Sequence, residues 1–139
     1  MDRRGFLLGL VFAASSTAGG CYWQRYPRLF ETHLGLLSDF AAKLQALAEA
    51  RVVVPAERWG EFTYPLERAR DFSRIVAGRW PGRASLAAFD RAVDAYAALV
   101  ADAGVLARAD AVAEVSRGRE TLLARIADAR EALSAEERN

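Results

Sequence analysis

The chain has few of the side chains that bind metals or cross-link a fold. Its 139 residues contain one cysteine, Cys21, one histidine, His33, and one methionine, Met1. A lone cysteine excludes an intramolecular disulfide, so packing must stabilise the fold. One imidazole and one thiol are too few for the ligand sets of structural zinc or for a haem attachment run. The composition therefore predicts neither a metal nor a cofactor.

Motifs of catalysis and nucleic-acid binding are also missing. The sequence contains no glycine-rich phosphate loop and no Gly-x-Ser-x-Gly nucleophile elbow. Lys and Arg total 19 against 18 Asp and Glu, without runs of like charge, which argues against nucleic acid as a partner. We expect a non-enzymatic protein. A hydrolase that uses His33 is the weakest alternative, because the sequence identifies no partner for that imidazole.

What the sequence does contain begins with an export signal. Two arginines, Arg3 and Arg4, precede an apolar run from Phe6 to Ala14, and residues 15–20 are small. This is the three-part layout of a secretory signal peptide. The apolar run is much shorter than the roughly 20 residues that span a membrane. No permanent transmembrane helix is therefore expected.

Two motifs in this segment resemble those of exported bacterial lipoproteins. Arg3-Arg4-Gly5-Phe6-Leu7 resembles the twin-arginine export signal. Ala18-Gly19-Gly20-Cys21 resembles the lipobox, which more often has Leu where Ala18 stands. The resemblance covers residues 1–21 only. It implies that residues 1–20 are cleaved, that Cys21 carries acyl chains such as palmitate, and that the mature protein is held on a membrane, facing the periplasm or the outer surface.

Other interpretations of the N-terminal segment stay open. An ordinary secretory signal would leave Cys21 as a free thiol or in an intermolecular disulfide, and the arginine pair would be a plain basic start. Residues 21–28 are predicted to form a lipidated tether, in which Pro27 stops any helix. The tether holds three rings that suit either the membrane–water boundary or packing on the domain, those of Tyr22, Trp23 and Tyr26.

Residues 29–135 have the periodicity of a single all-α domain. Apolar side chains recur at steps of three and four, which predicts four helices in an up-and-down antiparallel bundle. The pattern places these helices at about 29–50, 64–77, 85–103 and 110–135. Residues 51–54, ahead of Pro55, are expected to be an extended connector. A three-helix core with a peripheral first helix is the chief alternative.

Several residues have predicted local roles in the bundle. Thr63 and Pro65 indicate an interruption of the second helix near Pro65 with a capped restart, and Ser85 is expected to cap the third helix. Residues 136–139 should fray. The inward face of the last helix is predicted to consist of Val112, Val115, Leu122, Leu123, Ile126 and Leu133.

Three more positions have distinctive side chains. His33 falls in the apolar arc of the first helix, where a packed, hydrogen-bonded role is expected. Gly118 predicts a bend or a close approach of helices. Arg119 is expected to cover a bundle edge with its stem and to hold its guanidinium in water, rather than to bind a ligand.

Large aromatic residues flank the second helix, namely Trp59, Phe62, Tyr64 and Trp80. Their rings are expected to gather at one end of the bundle, as a core plug or as the wall of an apolar pocket.

The combined prediction is a membrane-tethered bacterial envelope lipoprotein whose non-enzymatic helical bundle acts as an interaction or structural module. Its predicted partners are the membrane, through acylated Cys21, and another envelope protein. The alternative is a binding protein for a small apolar or aromatic ligand.

Overall fold

A computed structural model gives the fold of the chain. It describes the backbone of residues 15–103 and 111–139 and the side chains of residues 24–101 and 111–139. The predicted export-signal residues Arg3, Arg4, Phe6 and Leu7 lie outside the described residues, and of Cys21 only the backbone is described.

Within residues 15–103 and 111–139, the chain forms four α-helices and no strand. The helices are α1 (Ser15–Glu49), α2 (Gly60–Arg79), α3 (Ala84–Ala103) and α4 (Ala111–Arg138), and a single 3-10 turn, Ala56–Arg58, precedes α2. The predicted all-α class is confirmed.

The chain divides into two compact units, Met1–Phe30 and Glu31–Asn139. In the first unit, the ring of Tyr26 meets the ring of Phe30 edge-on at 5.5 Å, and Tyr26 is fully buried. The ring of Tyr26 thus packs on a neighbouring ring within its own unit. The expectation that Pro27 stops the helix is wrong, because α1 runs through it. A proline removes one backbone hydrogen bond, and the helical residues on both sides retain theirs.

Neighbouring helices of the second unit run antiparallel, beginning with α1 and α2. The ring of His33 lies 4.9 Å from the ring of Phe72, and the ring of Phe40 lies 5.9 Å from the ring of Phe62. Later residues of α1 therefore contact earlier residues of α2, so the two helices are antiparallel.

The other helices continue this alternation and close the bundle. The contacts that fix their directions pair Ser73 with Asp90, Phe62 with Tyr96, Ser85 with Glu136, Glu31 with Arg130, and Gln45 with Arg119. The second unit is thus an up-and-down four-helix bundle. Because α4 packs back on α1, the three-helix alternative is wrong.

The core of the bundle is built from one stripe on each helix. In α1 the stripe follows steps of three and four, and its members are at most 2% exposed: Leu34, Leu37, Ala41, Leu44 and Ala48. In α4 the buried set is Ala111, Val115, Leu122, Ile126, Ala129 and Leu133. The inward orientation predicted for Val112 and Leu123 is wrong, since they are 36% and 39% exposed. Alanines occupy part of this face instead.

Helix α2 is not interrupted at Pro65, so that prediction is also wrong. The helix begins at Gly60 and includes Pro65 as its sixth residue. At that position the proline removes only the hydrogen bond to the carbonyl of Glu61, in the first turn of the helix. Thr63 caps no restart, because its hydroxyl donates back to the carbonyl of Gly60 at 3.3 Å. The helical structure is instead discontinuous earlier in the chain, between the 3-10 turn and the start of α2 at Gly60.

Helix α1 ends in a Schellman motif at the start of the connector. The N–H of Arg51 donates to the carbonyl of Ala48 at 3.0 Å, and the N–H of Val52 donates to the carbonyl of Leu47 at 2.9 Å. The motif needs a left-handed residue, and Arg51 takes that conformation with φ of 56°. Glycine is the usual residue here, so Arg51 adds strain to the turn.

Candidate functional site

The aromatic residues at the start of α2 form a core plug around Phe62. Phe62 is 2% exposed, and its ring lies 5.6 Å from that of Trp59 and 5.9 Å from that of Phe40. Its carbonyl accepts a hydrogen bond from the buried hydroxyl of Tyr96 at 2.6 Å. Burial raises the pKa of Tyr96 well above its ordinary value, so the phenol remains a donor. Of the two alternatives for this cluster, the contacts of Phe62 favour the plug.

Tyr64 and Trp80 do not join this plug. Tyr64 is 56% exposed, and the guanidinium of Arg68 lies 6.0 Å from its ring centre. Trp80 follows the last residue of α2, whose 20 residues span about 30 Å. The expected gathering of all four rings at one end is therefore wrong, because the intact α2 separates Trp80 from Trp59.

Large exposed apolar side chains occur in the connector and near the start of α2. Val52 is 45% exposed and Val53 is 60% exposed, and Tyr64 lies in the second turn of the helix that follows. We refer to Val52, Val53 and Tyr64 as the connector end. It lies at the end of the bundle opposite Glu31, since α1 and α2 are antiparallel. Large apolar side chains that are exposed at one end of a bundle are candidates for an interaction surface.

His33 is packed against aromatic rings. Its ring lies 4.9 Å from that of Phe72 and 6.4 Å from that of Phe89. Its Nδ1 is buried and has no hydrogen-bond partner, so the expected hydrogen bond is absent at this nitrogen. Burial, together with the positive charge of Arg68, lowers the pKa of His33. The imidazole is thus held neutral near pH 7.

The guanidinium of Arg119 makes a hydrogen bond to a neighbouring helix, which was not expected. Its Nη1 donates to Oε1 of Gln45 on α1 at 3.0 Å, and its Nε is buried without a partner. The side chain bridges α4 and α1, so its guanidinium is not simply in water.

The nearby Gly118 marks a close approach of helices. A Cβ atom built on Gly118 would lie 2.9 Å from Cδ1 of Leu99 on α3. Of the two alternatives, a bend or a close approach, this distance supports the close approach.

A charged cleft of about 330 Å³ lies open between α2 and α3. We refer to it as the α2–α3 cleft; its lining consists of Arg70, Ser73, Arg74, Ala77, Asp90, Val93 and Asp94. The arginines belong to α2 and the aspartates to α3, so one wall is basic and the other acidic. In the sequence these charges have the pattern of solvated helix faces. Only the register of α2 against α3 brings them together.

Glu136 holds the other end of the bundle together. Its carboxylate accepts hydrogen bonds from the Ser85 backbone N–H at 3.0 Å, the Ser85 hydroxyl at 2.5 Å and Nη2 of Arg83 at 2.9 Å. Ser85 is therefore a buried second residue of α3, and the prediction that it caps this helix is wrong. The expected fraying of residues 136–139 is also wrong, because α4 extends to Arg138 and Glu136 anchors it.

The remaining features concern metals, membranes and relatives. No group of three or more His, Cys, Asp or Glu in the described part of the chain is arranged to hold a metal ion. None of the described helices is both long enough and apolar enough to cross a membrane. No protein-family model, curated protein or solved structure matches this chain.

Proposed function

We propose that this chain is a membrane-tethered envelope lipoprotein whose helical bundle binds another envelope protein. The location rests on the N-terminal signal and lipobox, which end at Cys21. The observation that carries the interaction role is the connector end, where Val52, Val53 and Tyr64 are each 45% exposed or more.

The chemistry of the connector end supports a protein partner. Burying apolar surface contributes about 25 cal/mol per Å² to the free energy of association, so a complex in which a partner covers these side chains is stabilised. Tyr64 adds a ring, a hydroxyl and a nearby guanidinium from Arg68, a combination that is enriched at protein interfaces. The strained turn at Arg51 presents the two valines outward from the end of α1.

The ion pairs of the bundle agree with a non-enzymatic role. Arg58 pairs with Glu61 and Arg125 with Asp128, each three residues apart in sequence and exposed, which is the ordinary arrangement of a solvated face. The lone imidazole of His33 packs on rings and faces no acid at its buried Nδ1. These contacts favour a binding module over a hydrolase.

Site-specific photo-crosslinking in native membranes tests the interaction role. A photoreactive residue at position 53 or 64 should form an adduct with the same envelope protein. The matched control is Ala87, which is exposed near the start of α3, at the end of the bundle opposite the connector end. Val53→Asp should reduce the adduct formed from position 64, whereas Ile75→Asp, at an equally exposed apolar side chain, should not. Equal adducts from positions 53 and 87, or none from either, would contradict this role.

The tether has its own test. The intact mass of the mature chain should correspond to a protein that begins at acylated Cys21. Cys21→Ala should release the protein from the membrane fraction, because acyl chains bind at roughly 0.8 kcal/mol per buried methylene. An unmodified cysteine, or a variant that stays on the membrane, would contradict the anchor.

A further inference from the structure

In the α2–α3 cleft, the arginines of α2 and the aspartates of α3 lie at the same levels along the helix axes. The hydroxyl of Ser73 donates to the Asp90 carboxylate at 2.5 Å, which sets these two residues level across the cleft. One turn back along α2 is Arg70, and one turn forward along α3 is Asp94. Since the helices are antiparallel, Arg70 is level with Asp94, and Arg74 is level with Asp90.

Two of the four charged residues that line the cleft already have partners within the chain. Arg74 pairs with Asp71 on its own helix, and Asp90 accepts from Ser73. Arg70 and Asp94 form no ion pair within 4.0 Å among the side chains that the structure describes. The cleft therefore offers one cation and one anion, at the same height, to an occupant that carries the opposite pair.

We propose that this occupant is a second copy of the chain, docked by its own α2–α3 cleft about a two-fold axis parallel to the helices. The inference rests on the proposed role as an interaction module and names one of its partners. The axis exchanges the walls of the cleft, so Arg70 of each copy faces Asp94 of the other, and Arg74 faces Asp90. Isologous dimers require a self-complementary surface of this kind.

The orientation of the axis suits a tethered protein. A two-fold axis parallel to the helices leaves both copies pointing the same way, with both Glu31 residues at one end. The two chains can then enter the bundle from the same membrane. Anchoring also raises the effective concentration of each copy for the other, so a modest affinity is sufficient for pairing.

Charge reversal tests the proposal through the two residues without partners in their own chain. The full chain, in a density-matched non-ionic detergent, should sediment in a monomer–dimer equilibrium that weakens as salt rises, because exposed pairs are screened. Arg70→Glu and Asp94→Arg should each weaken dimerisation by about tenfold or more, since each places like charges together twice. The matched control is Arg117→Glu, the same charge change on exposed α4 surface.

Mixing the variants gives the decisive result. Arg70→Glu chains and Asp94→Arg chains should form mixed dimers at a concentration at which each variant alone is largely monomeric. The glutamate introduced in one chain then faces the arginine introduced in the other, and the native pair remains on the other side of the axis. The double variant in one chain should dimerise again, because both pairs are reversed together.

Three outcomes would overturn the proposal: a wild-type chain that is monomeric at low salt, a dimer indifferent to both reversals, or a mixture that stays monomeric. None of them bears on cross-linking from the connector end, so failure here leaves the envelope-partner role to its own test.

Discussion

The contact between Glu136 and the start of α3 yields the sharpest stability prediction. We expect Glu136→Ala to destabilise the bundle strongly, while Glu137→Ala, at the adjacent exposed residue, leaves it nearly unchanged. The reason is that Glu136 is bonded to Ser85 and Arg83 across 51 and 53 residues of chain.

The size of the effect follows from what the truncation leaves behind. Ser85 is 0% exposed, so the truncation removes the carboxylate acceptor of a buried hydroxyl, at about 1–3 kcal/mol. The Ser85 N–H loses its acceptor in the first turn of α3, comparable to a lost cap at about 1 kcal/mol. The Arg83 pair is about one-fifth exposed and adds at most about 1 kcal/mol. We expect about 3 kcal/mol for Glu136→Ala and within about 0.5 kcal/mol for Glu137→Ala.

The assay is urea unfolding of the purified chain, followed by far-ultraviolet circular dichroism. Near neutral pH, Glu136→Ala should unfold at markedly lower urea and melt about 10 °C below the wild type. Glu136→Gln keeps an acceptor without the charge, so it should fall between them, at about 1 kcal/mol.

The pH dependence of the unfolding free energy provides an independent test of the same contact. Burial pushes the pKa of Glu136 up, but the hydrogen bonds from Ser85 and Arg83 outweigh it and hold the pKa below the ordinary 4.5. The folded state thus binds the proton less tightly than the unfolded state. The stabilisation is fully present above about pH 4.5 and is lost as the pH falls through the folded pKa. If Glu136→Ala matched Glu137→Ala near neutral pH, or if its loss of stability persisted undiminished in strong acid, the ionised Glu136 carboxylate would not be what stabilises this end of the bundle.

Three further predictions use the same unfolding assay. Gly118→Ala should destabilise by about 1 kcal/mol, because the contact with Leu99 outweighs the gain in helix propensity; Gly35→Ala, with open space around its Cβ, should instead stabilise by up to about 1 kcal/mol. Arg51→Gly should stabilise by about 0.5–1 kcal/mol, since it relieves the φ of 56°. The lowered pKa of His33 means that stability falls as the pH drops below 6.5, and His33→Phe should remove that dependence; an unchanged slope would contradict it.

The fold class could be predicted because it depends on local periodicity. Leu34, Leu37 and Leu44 repeat at helical steps in the sequence and form the α1 stripe in the structure. The inward face of α4 was harder to assign, because Leu122 and Leu123 are adjacent and about 100° apart on a helix. In the structure only Leu122 points inward, and Ala111 and Ala129, which carry no strong hydrophobic signal, take other inward positions.

The local signals that failed were overridden by contacts distant in sequence. Ser85 has the residue type of an N-cap, but a glutamate on another helix holds it one residue inside α3. Pro65 has the residue type of a helix breaker, but its place near the start of α2 limits its effect to one hydrogen bond. Sequence rules for helix caps and breakers could not have identified Glu136 as the partner of Ser85. They also could not have placed the start of α2 at Gly60, ahead of Pro65.

The candidate surfaces show why function was harder to predict than fold. Arg70 and Asp94 are 24 positions apart, and each alone looks like an ordinary solvated charge. Their relation appears only when Ser73 and Asp90 fix the register of α2 against α3. The connector end likewise depends on the exposure of its side chains in the fold, because Val52 and Val53 are residue types that also suit a buried strand.

The two surfaces are compatible, since the connector end lies at the start of α2 and the α2–α3 cleft lies farther along it. A two-fold axis parallel to the helices keeps the two connector ends of a dimer on the same side, facing away from the Glu31 end. A partner with two equivalent sites would then bind both copies at once and gain avidity without any new contact. Reversing the charge of Arg70 should therefore weaken partner capture at Val53 only for such a two-site partner. A single-site partner should be captured equally well by the monomeric variant, so this comparison reveals the stoichiometry of the complex.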